Sequence, residues 1–139
     1  NVIKKEKLLL KRNHRLTNIR KNYLNQTISE IINRKPRFIC IEDLNVSGMM
    51  KNRHLSKAVQ EQEFFWFRKQ LEYKCSDKGI QLIVADRFYP SSKLCSCCGN
   101  IKKDLKLSDR EYRCECGNMI DRDFQASINL KTYGEQFAS

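Results

Sequence analysis

Two short cysteine motifs have the spacing of a metal site. Fifteen residues separate the last cysteine of Cys95-Ser96-Cys97-Cys98-Gly99 from the first of Cys114-Glu115-Cys116-Gly117. Zn²⁺ prefers four soft ligands in a tetrahedron, and each short turn can offer two thiolates to one ion. A glycine after each cysteine pair relieves the tight backbone of such a turn. The motifs therefore predict a zinc ribbon whose four ligands are Cys95, Cys98, Cys114 and Cys116.

Some features of this site stay open on the residues alone. With Cys95 and Cys98 as ligands the first motif has the common two-residue spacing, whereas the second has one residue between its cysteines. Cys97 is then either a spare thiol or a substitute ligand. The alternative, that several of these thiols are free and structural, is disfavoured because five cysteines lie within 22 residues. Four thiolates leave no position for water, so the predicted zinc is structural and not hydrolytic.

Two carboxylates could hold a different kind of metal ion. Glu42 ends a predicted strand, at the edge where open α/β sheets bind their ligands, and Asp123 begins the last predicted helix. If the two converge, their oxygens suit Mg²⁺, and two such ions about 4 Å apart would support phosphodiester hydrolysis. Acidic residues at these positions also form turns and cap helices, and the residues alone favour those roles. Asp86, after the second predicted strand, is equally ambiguous.

The positive charge of the chain lies mostly in one segment. The 139 residues carry a formal net charge of +11, and residues 1–37 hold +9 of it, with eleven Lys or Arg against two Glu. This excess indicates a polyanionic partner, although a solvated helix face or pairing with another part of a larger protein is the alternative. The candidate phosphate contacts are Lys4, Lys11, Arg15 and Arg20.

The sequence also limits where the protein acts. It has no run of 18 apolar residues and no apolar segment of a signal peptide at its start, so we expect no membrane partner and a cytoplasmic location. Seven cysteines without an export signal fit a reducing compartment. The first residue is Asn and not Met, which we interpret as a processed, trimmed or partial product.

The hydrophobic pattern predicts the elements that position these residues. Helical spacing in the basic segment predicts one long helix that ends before Pro36, with a break near Asn13 left open. A strand follows, buried on both faces and containing Cys40, and Cys75 lies in a later helix; both thiols fit the core. The remaining elements are a polar loop at 45–53, a helix at 55–75 with Val59, Phe64, Phe67 and Leu71 on one face, a strand at 80–85, and a helix at 123–133 with a stop at Gly134.

These elements predict an α/β fold. A strand, a helix and a second strand with this crossover length form a right-handed unit with two parallel strands. Residues 88–120 interrupt the pattern and have too little apolar material for a core of their own, so we expect a metal to hold them together. The predicted segments are a basic helical part at 1–36, the strand-helix-strand core at 37–87, the zinc ribbon at 88–120 and the final motif and helix at 121–139.

Taken in order, four motifs resemble the C-terminal half of the TnpB family. They are Ile41-Glu42-Asp43-Leu44-Asn45-Val46, Tyr89-Pro90-Ser91-Ser92-Lys93-Leu94 leading into the first cysteine motif, the second cysteine motif, and Asp121-Arg122-Asp123-Phe124-Gln125-Ala126-Ser127-Ile128-Asn129-Leu130. TnpB proteins are transposon-associated, RNA-guided DNA endonucleases related to the compact type V CRISPR effectors. Each motif alone is weak, but the ordered set is specific and covers nearly the whole chain.

The resemblance implies a fold and a chemistry. The fold would be a partial RuvC-like domain, of the ribonuclease H type, with the zinc ribbon inserted before the last catalytic motif. Glu42 would match the acidic residue of the second RuvC motif, and Asp123 that of the third. These matches imply Mg²⁺ or Mn²⁺ at the catalytic site, and guide RNA and DNA as partners.

Three features depart from the family pattern. No residue before the basic helix resembles the Asp of the family's first motif. The usual Asn-Ala-Ala of the last motif is here Gln125-Ala126-Ser127, and the second cysteine motif is one residue short. The first departure leads us to expect that the chain alone is inactive, since two carboxylates hold two divalent ions poorly.

Two hypotheses follow for function. In the first, the chain is the C-terminal part of a nuclease that hydrolyses DNA by a two-metal mechanism when complete. In the second, it is a non-catalytic zinc-ribbon protein that binds nucleic acid, or a regulator derived from such a transposon protein. A strand ending in Asp, encoded in frame upstream, would favour the first, and a start codon next to Asn1 would favour the second.

Overall fold

The chain divides into two compact units. The computed structural model describes residues 1–44 and 54–139, with the side chains of 54–62 left out of the description. The first unit holds Asn1–Pro36 and Val46–Ile80, and the second holds Arg37–Asn45 and Gln81–Ser139. Within the described ranges, no helix combines the length and the apolar character that crossing a membrane requires. The predicted loop at 45–53 and the predicted packing of Val59 lie outside this description.

The first unit is a pair of long helices, α1 (Val2–Asn33) and α2 (His54–Lys78). Helix α1 is continuous, so the break that the sequence left open near Asn13 does not occur. Its carboxyl-terminal part is buried at Ile28 and Ile32, whereas its amino-terminal part is exposed. In α2, Leu71 and Cys75 are buried as expected, but Phe64 is 47% exposed. The predicted helix is confirmed, and Phe64 is an exposed member of its aromatic face.

The second unit contains a parallel strand pair, as the hydrophobic runs predict. Strand β1 (Phe38–Ile41) pairs with β2 (Gln81–Val84), with Phe38 opposite Gln81 and Ile41 opposite Val84. The expectation that β1 is buried on both faces is wrong, since all four of its residues are only half-buried. The physical reason is that the described sheet has two strands and α3 packs against Phe38 and Cys40 on one face of β1, whereas Ile39 and Ile41 point to the opposite face.

The last helix, α3 (Arg122–Phe137), packs against β1 and runs opposite to the strands. Near its carboxyl end, Gly134 lies against Phe38 and Cys40. At the same end, the Gln81 side chain at the start of β2 donates to the Phe137 carbonyl at 3.2 Å. The amino end of α3 therefore points toward the carboxyl ends of the strands.

Gly134 allows this close approach and does not end the helix. The predicted stop is wrong, because α3 continues to Phe137. A Cβ at this position would lie 2.5 Å from Phe38 Cε2 and 3.0 Å from Cys40 Cβ. The Cys40 Cβ is fixed to the strand backbone, so the helix and the strand would have to separate.

We expect Gly134→Ala to destabilise the chain. Alanine improves helix propensity by about 1 kcal/mol, but the overpacking costs about 1–3 kcal/mol and should win. The free energy of unfolding in denaturant measures the difference, and Gln136→Ala, at an exposed position of the same helix, is the control. A stability equal to or above that of the unmodified chain would contradict the close packing of α3 on β1.

A small ribbon connects β2 to α3. Strands β3 (Glu111–Arg113) and β4 (Met119–Asp121) pair antiparallel, and Leu94 and Ile101 form an isolated bridge. Three buried residues, Cys95, Leu105 and Tyr112, form its core, against which Cys114 and Ile120 pack. The ribbon thus has a small core of its own, which corrects the expectation that it has too little apolar material for one. Of these five residues, two are cysteines of the predicted zinc site.

Candidate metal centre and carboxylate site

The structure brings the four predicted zinc ligands together. The sulfurs of Cys95, Cys98, Cys114 and Cys116 all lie within 4.8 Å of one another. The Cys95 and Cys116 sulfurs are 3.7 Å apart, and those of Cys98 and Cys114 are 3.6 Å apart. Four ligands at a Zn–S distance of about 2.3 Å in a tetrahedron stand about 3.8 Å from each other. The donor set and its spacing therefore fit structural Zn²⁺.

The backbone of both turns is built for this geometry. Gly99 and Gly117 have φ angles of 77° and 92°, in the region that favours glycine, as the sequence predicts. In the second turn, the Cys114 N–H donates to the Asn118 carbonyl at 2.9 Å, and the Gly117 N–H donates to the Cys114 carbonyl at 3.0 Å. The shorter second motif therefore still presents both of its sulfurs to the cluster.

Two thiols of the cluster, Cys95 and Cys116, differ strongly in acidity. Burial acts to raise the pKa of Cys95, but N–H groups of Cys98 and Cys97 and the Asn118 amide outweigh it and lower the pKa to about 6. Although the backbone N–H of Asn118 acts to lower it, the neighbouring thiols raise the pKa of Cys116 to about 12. A lowered pKa at one thiol and a raised pKa at a neighbour are the pattern expected when thiols share a small space without a cation. A divalent cation would let all four ionise.

The other cysteines fall outside this cluster. Cys97 is exposed, Cys40 is half-buried and Cys75 is buried. Among the residues that the structure describes, the four clustered cysteines are the one group of three or more potential metal ligands close enough to share an ion. Glu42 and Asp123 are not members of such a group.

Glu42 lies where the sequence predicts, directly after β1. Ser91, 5% exposed, donates its hydroxyl to Glu42 Oε1. The buried Asn129 amide of α3 in turn donates to the Ser91 carbonyl at 2.7 Å and to the Leu94 carbonyl at 2.8 Å. Ser91 thus connects the Glu42 carboxylate at the end of β1 to Asn129 of α3, which is six residues after Asp123.

The two carboxylates of Asp121-Arg122-Asp123 do different things. Asp121 is the N-cap of α3, and its Oδ1 accepts from the N–H groups of Asp123 at 3.0 Å and Phe124 at 2.9 Å. The Asp123 side chain is 78% exposed and lies 3.1 Å from Arg122 Nη2. The capping role therefore belongs to Asp121 and leaves the Asp123 carboxylate facing solvent.

The remaining acidic candidates have ordinary partners. Asp43 Oδ2 lies 3.6 Å from Arg87 Nε, an ion pair at the surface. Asp86 Oδ1 accepts from the Phe88 N–H at 2.8 Å, which is the turn-forming role that the sequence left open.

The four basic candidates separate into two sets. At about 100° per residue, Lys4, Lys11 and Arg15 fall on one face of α1, and all three are exposed. Arg20 lies roughly opposite, and its Nη1 is 3.3 Å from Glu63 Oε1 of α2. Three of the four therefore share one exposed basic face, and Arg20 is in an ion pair.

Several polar residues that support the site were not assigned a role from the sequence. They are Ser91, Asn118, Gln125 and Asn129. The sequence did mark Gln125 as a departure from the family pattern, and it is fully buried here. The sequence gives the other three no role, because each binds a group on another element: Ser91 the Glu42 carboxylate, Asn118 the Cys95 sulfur and the Gln125 oxygen, and Asn129 two backbone carbonyls.

Comparisons with known proteins agree with the motifs. Residues 64–130 match the domain family described as Cas12f1-like, TNB domain. A protein of Streptomyces pristinaespiralis named as an RNA-guided DNA endonuclease is 38% identical over 120 residues, which are 86% of this chain and 30% of that protein. The CRISPR-associated endodeoxyribonuclease Cas12f1 of Sulfoacidibacillus thermotolerans is 29% identical over 76 residues, 54% of this chain and 18% of that protein.

A solved structure has a similar fold. The cryo-EM structure of a Cas12f1–sgRNA–target DNA complex contains a chain that matches with a TM-score of 0.58 and 17% identity, over 81% of this chain and 32% of that chain. This chain therefore spans at most about a third of the length of these proteins. It is a mixed α/β partial domain with a four-cysteine cluster. The ordered motifs, the matched domain and the sequence relatives together show that the chain is a TnpB/Cas12f-like C-terminal region with a TNB domain.

Proposed function

We propose that the chain supplies the C-terminal, RuvC-like part of an RNA-guided DNA endonuclease that hydrolyses phosphodiester bonds with two metal ions. One observation carries the proposal: Ser91 connects Glu42, at the carboxyl end of β1, to Asn129 of α3, the helix that contains Asp123. The parallel strands and the α3 helix that packs on β1 support a fold of the ribonuclease H type. The names of the relatives support DNA as substrate and guide RNA as partner.

In this proposal the ribbon is an insert in the catalytic fold. The RuvC-like core consists of residues 37–87 and 121–139, and the zinc ribbon of residues 88–120. The basic helical segment of the RuvC-like domain is residues 1–36. Zinc has a structural role, because the four cysteines would occupy all of its coordination positions.

The carboxylates fit the metal ions that such a reaction uses. Glu42 and Asp123 offer oxygen ligands, the type that Mg²⁺ and Mn²⁺ bind. When bound, the ions would activate the attacking water and stabilise the leaving oxygen. Ser91 fixes the orientation of the Glu42 carboxylate through Oε1. The Asp121 cap holds the first turn of α3, so that Asp123 keeps its position while its carboxylate stays exposed.

Two carboxylates do not complete a two-metal site. The family resemblance implies a further Asp, which no residue of this sequence matches, and we propose that it comes from outside these 139 residues. The chain alone is then inactive. Incubating it with DNA and Mg²⁺ or Mn²⁺ should give no cleavage, whereas the chain combined with the polypeptide that contributes the further Asp, and with guide RNA, should cut DNA. Cleavage by the 139 residues alone, abolished by Glu42→Gln, would contradict the expected inactivity.

The exposed basic face favours a second candidate, a non-catalytic protein that binds nucleic acid. Lys4, Lys11 and Arg15 line one side of α1 in a segment with a net charge of +9. In this candidate the zinc ribbon and the basic helix bind nucleic acid, and no catalytic step is involved. Two results together would support this candidate over the nuclease. The genomic DNA immediately upstream of the coding sequence would encode no strand that ends in Asp, and the chain alone would bind nucleic acid tightly.

The salt dependence of binding tests the basic face itself. We expect Arg15→Ala to reduce the slope of log affinity against log salt by about 1, the effect of one lost phosphate contact. Arg20→Ala is the matched control, because Arg20 is already paired with Glu63 and should change the slope less. Fluorescence anisotropy with a labelled duplex at several salt concentrations measures both variants. Equal slopes for Arg15→Ala and the unmodified chain would remove Arg15 from the interface.

A further inference from the structure

Gln125 connects both turns of the cysteine cluster to helix α3. Gln125 is the fourth residue after the Asp121 cap, and its side chain is fully buried. The Gln125 Oε1 lies 3.2 Å from the Ser96 N–H nitrogen and 3.3 Å from the Ser96 hydroxyl, in the first cysteine motif. The same oxygen accepts from Asn118 Nδ2 at 3.0 Å, directly after the second motif. One acceptor on α3 therefore contacts both halves of the cluster.

The Asn118 amide extends this connection to a sulfur. Its Nδ2 lies 3.4 Å from Cys95 Sγ as well as 3.0 Å from Gln125 Oε1. An amide NH₂ group has two hydrogens, so it can donate to both acceptors at once. A continuous path of hydrogen bonds thus leads from a metal-ligand sulfur to the first part of α3.

The other end of the Gln125 amide is not used in this way. Its Nε2 is buried and has no hydrogen-bond partner among the described residues. Burying an unpaired donor costs free energy, and most buried polar groups avoid it. All the side-chain hydrogen bonds of Gln125 are therefore made by its oxygen, which accepts from two groups of Ser96 in the first cysteine motif and from Asn118 directly after the second.

We propose that Gln125 is a positioning residue, through which metal occupancy of the four-cysteine cluster sets the start of α3. A bound Zn²⁺ fixes the sulfurs, and with them Ser96 and Asn118. These two residues then hold the Gln125 oxygen from both sides. Loss of the metal lets the two cysteine motifs separate, and the first turns of α3 lose these anchors. Asp123 lies two residues before Gln125, so its position depends on the metal; this last step alone rests on the proposed nuclease function.

Hydrogen exchange on the unmodified chain tests the coupling directly. We expect removal of zinc by a chelator to accelerate exchange of the backbone amides of residues 125–129 by at least about tenfold. The amides of residues 133–137 should change much less, because Gly134 packs on β1 and Gln81 binds the Phe137 carbonyl. Unchanged exchange at 125–129 after zinc removal would overturn the proposal, whether or not any variant folds.

Zinc affinity of a variant gives a second, independent readout. Gln125→Met keeps the length and the apolar stem of the side chain but removes the acceptor. Residues that support metal ligands typically contribute about 10–100-fold to metal affinity, and we expect a loss in that range in competition with a chromogenic chelator. Gln81→Met is the matched control, since Gln81 binds Phe137 and Ser139 at the opposite end of α3.

The two variants separate positioning from general destabilisation. A chelator competition in which Gln81→Met stays within about twofold of the unmodified chain while Gln125→Met weakens zinc supports the coupling. Equal affinities for Gln125→Met and the unmodified chain, or equal losses in both variants, would overturn it. Neither readout involves DNA or a catalytic ion, so a failure of the proposed nuclease function would leave these results unaffected.

Discussion

We expect Cys98→Ser to abolish stable zinc binding, whereas Cys97→Ser leaves one zinc ion per chain. The sulfurs of Cys95, Cys98, Cys114 and Cys116 lie within 4.8 Å of one another, and Cys97 is exposed and outside the group. Structural zinc sites provide about 10–16 kcal/mol of apparent binding free energy, which in a small domain is also folding free energy. Serine keeps the size of cysteine but is a poor ligand for this soft site.

The structural consequence should be large because the ribbon has little else to hold it. Its buried core is Cys95, Leu105 and Tyr112, and Cys95 is itself a ligand. Without the metal, the two cysteine turns lose the bonds that hold them together, and Cys95 loses its fixed position, which would open this core. We therefore expect Cys98→Ser, but not Cys97→Ser, to expose Tyr112.

Metal content after dialysis and the near-ultraviolet circular dichroism of the ribbon measure these effects. The two serine variants form a matched pair, since they replace neighbouring cysteines of one turn. Loss of zinc from Cys97→Ser together with retention in Cys98→Ser would assign Cys97 as the ligand. A zinc content well below one ion per unmodified chain would remove the metal centre from the structure.

The parts of the fold that could be predicted depend on short-range patterns. The parallel pairing of β1 and β2 follows from two short apolar runs joined by a long crossover, and the pairing is confirmed. The grouping of the four cysteines follows from their spacing, because each pair lies within one tight turn. In both cases neighbouring residues contain most of the information.

The features that could not be predicted depend on contacts between distant residues. Gly134 has the sequence signature of a helix stop, but its role is set by Phe38 and Cys40, almost a hundred residues earlier in the chain. The half-burial of β1 depends on what covers its two faces, which the strand itself does not encode. Phe64 fits a helical face by spacing, yet spacing does not say how wide the buried face of α2 is.

Asp121 and Asp123 also show what the sequence can predict and what only the structure reveals. Asp121 and Asp123 are equivalent by composition, and the family resemblance alone selects Asp123. The hydrogen bonds supply a physical distinction, because the Asp121 carboxylate caps α3 while the Asp123 carboxylate faces solvent. This distinction makes the proposed catalytic assignment testable with changes of single atoms.

Under the proposed function, Glu42→Gln and Asp123→Asn should each reduce DNA cleavage by at least about a hundredfold in the nuclease that the further Asp completes. Each change replaces one carboxylate oxygen with nitrogen and so removes a ligand charge, while the shape of the side chain is kept. Metal ions contribute several kcal/mol to stabilising the charge of such a transition state, and about 1.4 kcal/mol corresponds to a factor of ten in rate. Guide RNA and DNA binding should be unchanged.

Asp121→Asn is the control that separates catalysis from helix capping. Asparagine is about as good an N-cap as aspartate, so this variant keeps the hydrogen bonds to the Asp123 and Phe124 N–H groups while it loses the carboxylate charge. Cleavage rates, measured at saturating Mg²⁺ with guide RNA and a labelled target, should therefore fall for Asp123→Asn and change little for Asp121→Asn. The opposite pattern would exchange the roles of the two aspartates. In Glu42→Gln, Ser91 can still donate to the amide oxygen of glutamine and keep the side chain in position. Full activity of this variant would therefore show that the Glu42 carboxylate is not a catalytic metal ligand.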